Sequence, residues 1–190
     1  MVMPGDALSR IDFSDNKYTL KQKAVRNAYK LYDSSGEEVL GAKQKMFKMK
    51  EEFPFTDPEG NEVFTVKAEN LMDIAGDYAI TDSGTGEKIA VLTQDFSFLV
   101  HKWRVKDTEG NLIAKIESRG KLVGLLRSLS DIAQLFPHRY TIENAEGEQI
   151  GTIQGQFSFR DKYEIELEEG VDNKETIIAA AVTIDALEGN

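Results

Sequence analysis

The stretch Tyr29-Lys30-Leu31-Tyr32-Asp33-Ser34-Ser35-Gly36-Glu37-Glu38-Val39 carries a pattern that the rest of the chain repeats. An aromatic residue is followed by an apolar one two positions on, then by Asp or Asn at four, Gly at seven and Val or Ile at ten. The pattern returns at Phe53, Phe55, Asp57, Gly60 and Val63, and again at Trp103, Val105, Asp107, Gly110 and Ile113. Tyr140, Ile142, Asn144, Gly147 and Ile150 form a fourth copy. A fifth runs from Tyr78, Ile80 and Asp82 to Gly86 and Ile89, with one residue inserted in the turn.

Each copy reads as a β-hairpin. Apolar residues two apart put one face of a strand into a core. Asp or Asn opens a turn by accepting backbone hydrogen bonds, and Gly supplies the positive φ that follows. The β-branched residue then starts the return strand. Gly36, Gly60, Gly86 and Gly110 are spaced by 24, 26 and 24 residues, room for two short strands and two connections. A meander of hairpins follows, not a βαβ protein. Tyr163, Ile165 and Leu167 alternate with Glu164, Glu166 and Glu168 in a sixth, degenerate unit, and Gly170 stands at its turn with no return strand beyond.

Two segments break the meander. Leu125, Leu129, Ile132 and Phe136 recur with helical period before Pro137, predicting an amphipathic helix near 123–136. The stretch from Lys174 to Leu187, begun by the capping pair Asp172 and Glu175, is apolar on every side except at Thr183 and Asp185. A helix apolar all round is buried, and this one is too short to span a bilayer, which takes about 20 residues. It is therefore expected to fill a closed barrel of roughly twelve strands, the whole chain 1–190 forming one mainly-β domain.

Composition excludes much. With 190 residues, 41% apolar, the chain can bury one sizeable core. No Cys and two His, His101 and His138, predict neither a disulfide framework nor a metal site, and no cofactor. No 18-residue apolar run is present, and Met1-Val2-Met3-Pro4-Gly5 lacks the layout of a signal peptide. A cytoplasmic location is expected. The chain lacks Gly-x-Ser-x-Gly, a P-loop and Gly-x-Gly-x-x-Gly, and Gly84-Thr85-Gly86 reads as a hairpin turn, so no enzyme is expected.

The net charge of −10 is unevenly placed. Residues 1–50 hold ten Lys/Arg against six Asp/Glu, residues 51–140 ten against fifteen, and residues 141–190 three against twelve. Nucleic acid is disfavoured as a partner. Within 17–50, nine basic residues face three acidic ones, a local +6. In Lys21-Gln22-Lys23 and Lys43-Gln44-Lys45 the two lysines share a strand face, and Lys48 follows closely. Lys21, Lys23, Lys43, Lys45 and Lys48 are the candidate lipid-binding residues. If the two strands neighbour each other, their ammonium groups cluster and attract anionic head groups. The same lysines equally suit a solvated barrel exterior that resists edge pairing. Phe96, Phe98, Phe157 and Phe159 at period 2, and Trp103, read as core. Asp185 reads as a buried, hydrogen-bonded carboxylate.

The chain resembles the LURP-one-related proteins of the tubby C-terminal-like superfamily. The resemblance runs from Tyr18 to Asn190, on Tyr18-Thr-Leu-Lys-Gln-Lys23, on Lys43-Gln-Lys45 with Met46-Phe47-Lys48, and on the apolar run Ile177 to Leu187. It implies a twelve-stranded barrel around a C-terminal helix; the helix near 123–136 departs from the simplest members. Tubby domains bind phosphoinositides and scramblases act at membranes with calcium, but neither residue set matches here position by position. The LURP-one-related proteins have no established biochemical activity; the superfamily analogy together with the local +6 favours a non-catalytic binding module that touches anionic lipid or membrane from a peripheral position. The alternative is a protein-interaction or scaffold domain without lipid affinity.

Overall fold

A computed structural model describes residues 8–23, 28–43, 52–69, 77–96, 101–118, 139–155 and 162–188. Twelve strands form a closed antiparallel barrel: β1 (Lys17–Lys23), β2 (Ala28–Tyr32), β3 (Glu38–Lys43), β4 (Phe53–Thr56), β5 (Glu62–Ala68), β6 (Asp77–Asp82), β7 (Lys88–Phe96), β8 (His101–Lys106), β9 (Leu112–Ser118), β10 (Arg139–Asn144), β11 (Gln149–Gly155) and β12 (Lys162–Leu167). Each strand pairs with its neighbours in sequence, and β12 returns to pair with β1. Among the described strands, closure leaves no edge.

The five repeat units form five hairpins. In the first, Gly36 N donates to Asp33 O, Asp33 N to Glu37 O, and Glu37 N to the Asp33 carboxylate. Gly36 sits at φ +87, a conformation L-residues rarely adopt. Gly60, Gly86, Gly110 and Gly147 occupy the same place with φ between 74 and 91. The sequence pattern does not reveal one feature. Leu31 faces Leu40 while Tyr32 faces Glu38, so Val39 is an extra residue, a β-bulge. Val63, Ile89, Ile113 and Ile150 fall at the same slip in the other four hairpins. The tenth position of the repeat therefore marks the bulge rather than a regular strand start. The bulge lets two consecutive residues bury, as Val39–Leu40, Val63–Phe64 and Ile89–Ala90 do.

The inward residues converge on α1 (Lys174–Glu188), which occupies the barrel lumen. Ile177, Ile178, Ala179 and Ala180 are each 0% exposed. Thr183 satisfies its hydroxyl by donating to Ala179 O at 2.7 Å. The helix starts one residue later than its capping pair predicts. Asn173 O accepts the first helical bond, from Ile177 N, and Asn173 takes φ +55, which Asn tolerates better than most side chains. Gly170, at φ +76, turns the chain from β12 into the lumen. The helix predicted near 123–136 lies outside the described residues.

One end of the barrel carries the five hairpin turns and the β12–α1 turn. A strap formed by residues 8–16 crosses it, burying Leu8, Ile11 and Phe13. Its bonds are specific. Asp15 accepts Ser34 N–H at 2.8 Å, Tyr18 hydroxyl donates to Asp15 O at 2.8 Å, and Lys174 Nζ donates to Ser14 O and Asn16 Oδ1. The Ser34 contacts hold Asp15 down at about 2, below the ordinary 3.8. Because the folded-state value is the lower one, the unfolded chain takes up this proton first as pH falls. Stability from this carboxylate is therefore full above pH about 4 and is lost between about 4 and 2. Thermal melts across that range are expected to show a falling Tm, and Asp15→Asn to flatten that fall; an unchanged acid limb in Asp15→Asn contradicts this role for the Asp15 contact with Ser34.

Candidate functional site

The turn end of the barrel is acidic. The six turns at 33–37, 57–61, 82–87, 107–111, 144–148 and 168–173 hold two Asp/Glu each in the first five and three in the last, and no Lys or Arg. These thirteen carboxylates ring the turn end. Several also build their turns: Asp57 and Asp107 each accept from the backbone and side chain of Asn61 and Asn111. Those side-chain contacts hold both carboxylates below the usual range, so they stay ionised at neutral pH. A cleft of about 460 Å³ opens at this end between the turns near 107, 145 and 170, lined by residues that include Ile113, Ile150, Val171, Glu146, Glu168 and Glu169. Among the described residues no group of three His, Asp or Glu is placed to hold a metal ion.

The opposite ends of β12, β1, β2 and β3 carry the basic face. Pairing places Lys21 opposite Lys162 on one side and opposite Lys30 on the other, a row of three lysines across three strands. One row further, Lys23 and Lys43 both pair with Ala28, from its two sides. β1 and β3 are thus not direct neighbours; β2 joins them. Lys21 is exposed, its ammonium 4.3 Å from the centroid of the Tyr32 ring. Lys30 is ion-paired with Glu38, whose contact raises the lysine's pKa. Lys17 meets Glu164 at 3.5 Å. The local +6 of the sequence is therefore partly compensated toward the turn end, while the row at Lys21 and Lys162 holds cations on neighbouring strands.

Of the five predicted lysines, Lys21 and Lys23 stand on β1 and Lys43 on β3 at this end of the barrel, and Lys45 and Lys48 lie outside the described residues. Lys162 is the residue that sequence reasoning missed. Its signal was the first position of a cleanly alternating strand, and its relevance depends on β12 closing against β1. Trp103 is buried, as expected, and packs against Tyr78. Phe96 ends β7; Phe98, Phe157, Phe159 and His138 lie outside the described residues. Asp185 is half-buried near the C-terminal end of α1. Burial, and then the Asp185 charge, push the Tyr29 hydroxyl well above its ordinary value, and Gln22 Nε2 donates to that hydroxyl at 3.0 Å. Gly84 donates its N–H to Asp82 within the turn, as a hairpin residue.

Twelve antiparallel strands closed around one apolar C-terminal helix define a tubby-like barrel. The family model described as LURP-one-related matches residues 38–185, and the chain belongs to that family. In structure it is similar to an Arabidopsis thaliana protein solved by X-ray crystallography, with a TM-score of 0.56 and 9% identity over 90% of this chain and 91% of that one. No curated protein matches it in sequence. Among the described residues no helix is long and apolar enough to cross a membrane.

Proposed function

We propose that the domain is a non-catalytic binding module that touches an anionic lipid surface through the basic face of β12, β1, β2 and β3, peripherally and from the cytoplasmic side. The observation that supports this reading is that strand pairing sets Lys162, Lys21, Lys23 and Lys43 on β12, β1 and β3, at the end of the barrel away from the turn carboxylates. From Ala28 to Asp33 the chain climbs about 17 Å at about 3.4 Å per residue. Screening at physiological salt acts over about 8 Å. The basic face therefore engages a membrane without being cancelled by the acidic rim, and the rim turns the other end away. Each lysine contributes about 1 kcal/mol near an anionic leaflet. Four give about 4 kcal/mol, a dissociation constant near 1 mM. Attachment is weak and salt-sensitive.

Co-sedimentation with vesicles of phosphatidylcholine alone and of phosphatidylcholine with phosphatidylserine tests this. Binding is expected only to the mixed vesicles at low salt, with loss at high salt and in the variant combining Lys21→Glu, Lys23→Glu, Lys43→Glu and Lys162→Glu. Absence of binding at low salt, or equal binding by the variant, contradicts it. The second reading, a protein-interaction domain without lipid affinity, draws on the acidic turn end, whose charge suits a basic protein partner. It gains if the vesicles fail.

A further inference from the structure

The turn end divides into two arcs. In the first, the strap of residues 8–16 lies over the hairpins. Asp15 accepts Ser34 N–H from the first turn, Arg10 reaches Asp82 of the third at 3.9 Å, and the segment Leu8–Arg10 packs against β5 and α1. The bulge residues of this arc, Val39, Val63 and Ile89, are buried, as are Leu8 and Ile11 of the strap. In the second arc the same repeat position stays part-exposed. Ile113 and Ile150, the bulge residues of the fourth and fifth hairpins, are half-buried, and with Leu112 and Val171 they line the cleft of about 460 Å³. That volume falls within the range of ligand pockets, about 300–1,000 Å³. Asp107, Glu146, Glu168, Glu169 and Asp172 line it as well, and no Lys or Arg stands among its described lining residues. Apolar surface and charge of one sign thus share one concavity.

The strap supplies the chemistry of an occupant. In Leu8-Ser9-Arg10-Ile11 two aliphatic side chains enter the core, and the guanidinium between them reaches the turn carboxylate of the third hairpin. Asp107 and Ile113 hold the repeat positions that Asp82 and Ile89 hold there. We propose that the cleft docks a short segment of a partner protein in which an arginine or lysine stands between aliphatic residues. The aliphatic side chains settle on Ile113 and Ile150, and the cation meets the carboxylates, which complement it in charge. A partner would thus do in the second arc what the strap does in the first. The inference gives the protein-interaction reading a site, and the vesicle result leaves it untouched, because the cleft and the basic face share no residue.

Fluorescence anisotropy at physiological salt tests it on the full chain. The probes are two fluorophore-labelled, amidated peptides, Arg-Leu-Ser-Arg-Ile-Ser-Arg and Arg-Ser-Ser-Arg-Ser-Ser-Arg, which carry the same cations. The first is expected to bind at least about tenfold more tightly than the second, because only it brings aliphatic surface to the cleft. Glu146 and Glu169 are exposed, so Glu146→Lys combined with Glu169→Lys leaves the fold intact and is expected to weaken the first peptide at least about tenfold. Glu37 and Glu59 are exposed in turns of the first arc. Glu37→Lys combined with Glu59→Lys makes the same change of net charge and is expected to alter binding by less than about twofold, since screening acts over about 8 Å. No binding by the wild-type protein, equal affinity for the two peptides, or a loss in the first-arc variant as large as that in the cleft variant overturns the inference.

Discussion

Ala180→Glu is expected to leave no soluble folded protein. Ala180 is 0% exposed at the centre of α1, between Ala179 and Ala181, and strands surround it. The new carboxylate meets neither water nor a partner, so it folds only as the neutral acid. A fully buried carboxyl is raised by about 3–5 pKa units, so at pH 7 it stays protonated, and holding a group of ordinary pKa about 4.3 protonated there takes about 2.7 units at about 1.36 kcal/mol each, about 4 kcal/mol. The added side-chain volume costs about 1–3 kcal/mol more in a packed core. The sum rivals the entire stability of a typical domain, about 5–15 kcal/mol. Circular dichroism and solubility check this, with Thr183→Val as control, since it swaps a satisfied hydroxyl for a methyl of like shape and is expected to stay folded. A melting curve for Ala180→Glu within a few degrees of wild type contradicts a helix-filled lumen.

Gly151→Ala is the second large effect. A Cβ there falls 2.5 Å from Glu166 O and 2.6 Å from Leu167 Cδ2. The first of these is backbone, so no rotamer relieves it. β11 and β12 must spread, and β12 is the strand that closes the barrel on β1. A loss of about 3 kcal/mol is expected, which for a chain of this size lowers Tm by roughly 6–12 °C. Gly36→Ala meets nothing within 4 Å and carries only the strain of φ +87, about 1–2 kcal/mol. Melts of the two variants side by side separate close packing from turn strain. Equal losses contradict the assignment of Gly151 to close approach.

Gly151 also marks where reading the sequence stops. Residues that follow the β-branched position in the other hairpins are Leu40, Phe64, Ala90 and Ala114, all buried, so a glycine there reads as a harmless gap. Only the cross-strand distance to Glu166 reveals a requirement. The hairpins themselves were legible, because aromatic, Asp and Gly act within eight residues and each has a local physical cause. The buried helix was legible too, since nothing polar interrupts Ile177 to Val182. The bulges were not. Whether Val39 starts a regular strand or doubles up against β2 depends on the pairing of Leu31 with Leu40, which the residues alone do not fix. The basic face was half legible. Lys21, Lys23 and Lys43 stand out as charge within one segment, whereas Lys162 joins them only because the last strand closes on the first. Nor does the segment show that Glu38 and Glu164 compensate Lys30 and Lys17, since Glu164 comes from the far end of the chain.

The central claim is an orientation: basic face toward the membrane, carboxylate rim away. A chain without Cys allows a single label to be placed at will. Ala28→Cys sits amid Lys23, Lys43 and their neighbours without removing a charge, and Glu109→Cys sits on the exposed tip of a turn. With an environment-sensitive fluorophore at each position in turn, phosphatidylserine-containing vesicles at low salt are expected to shift the emission of the label at 28 and to leave that at 109 unchanged, with the shift reversed by high salt. Equal responses at both positions, a response at 109 alone, or none at either contradicts the account.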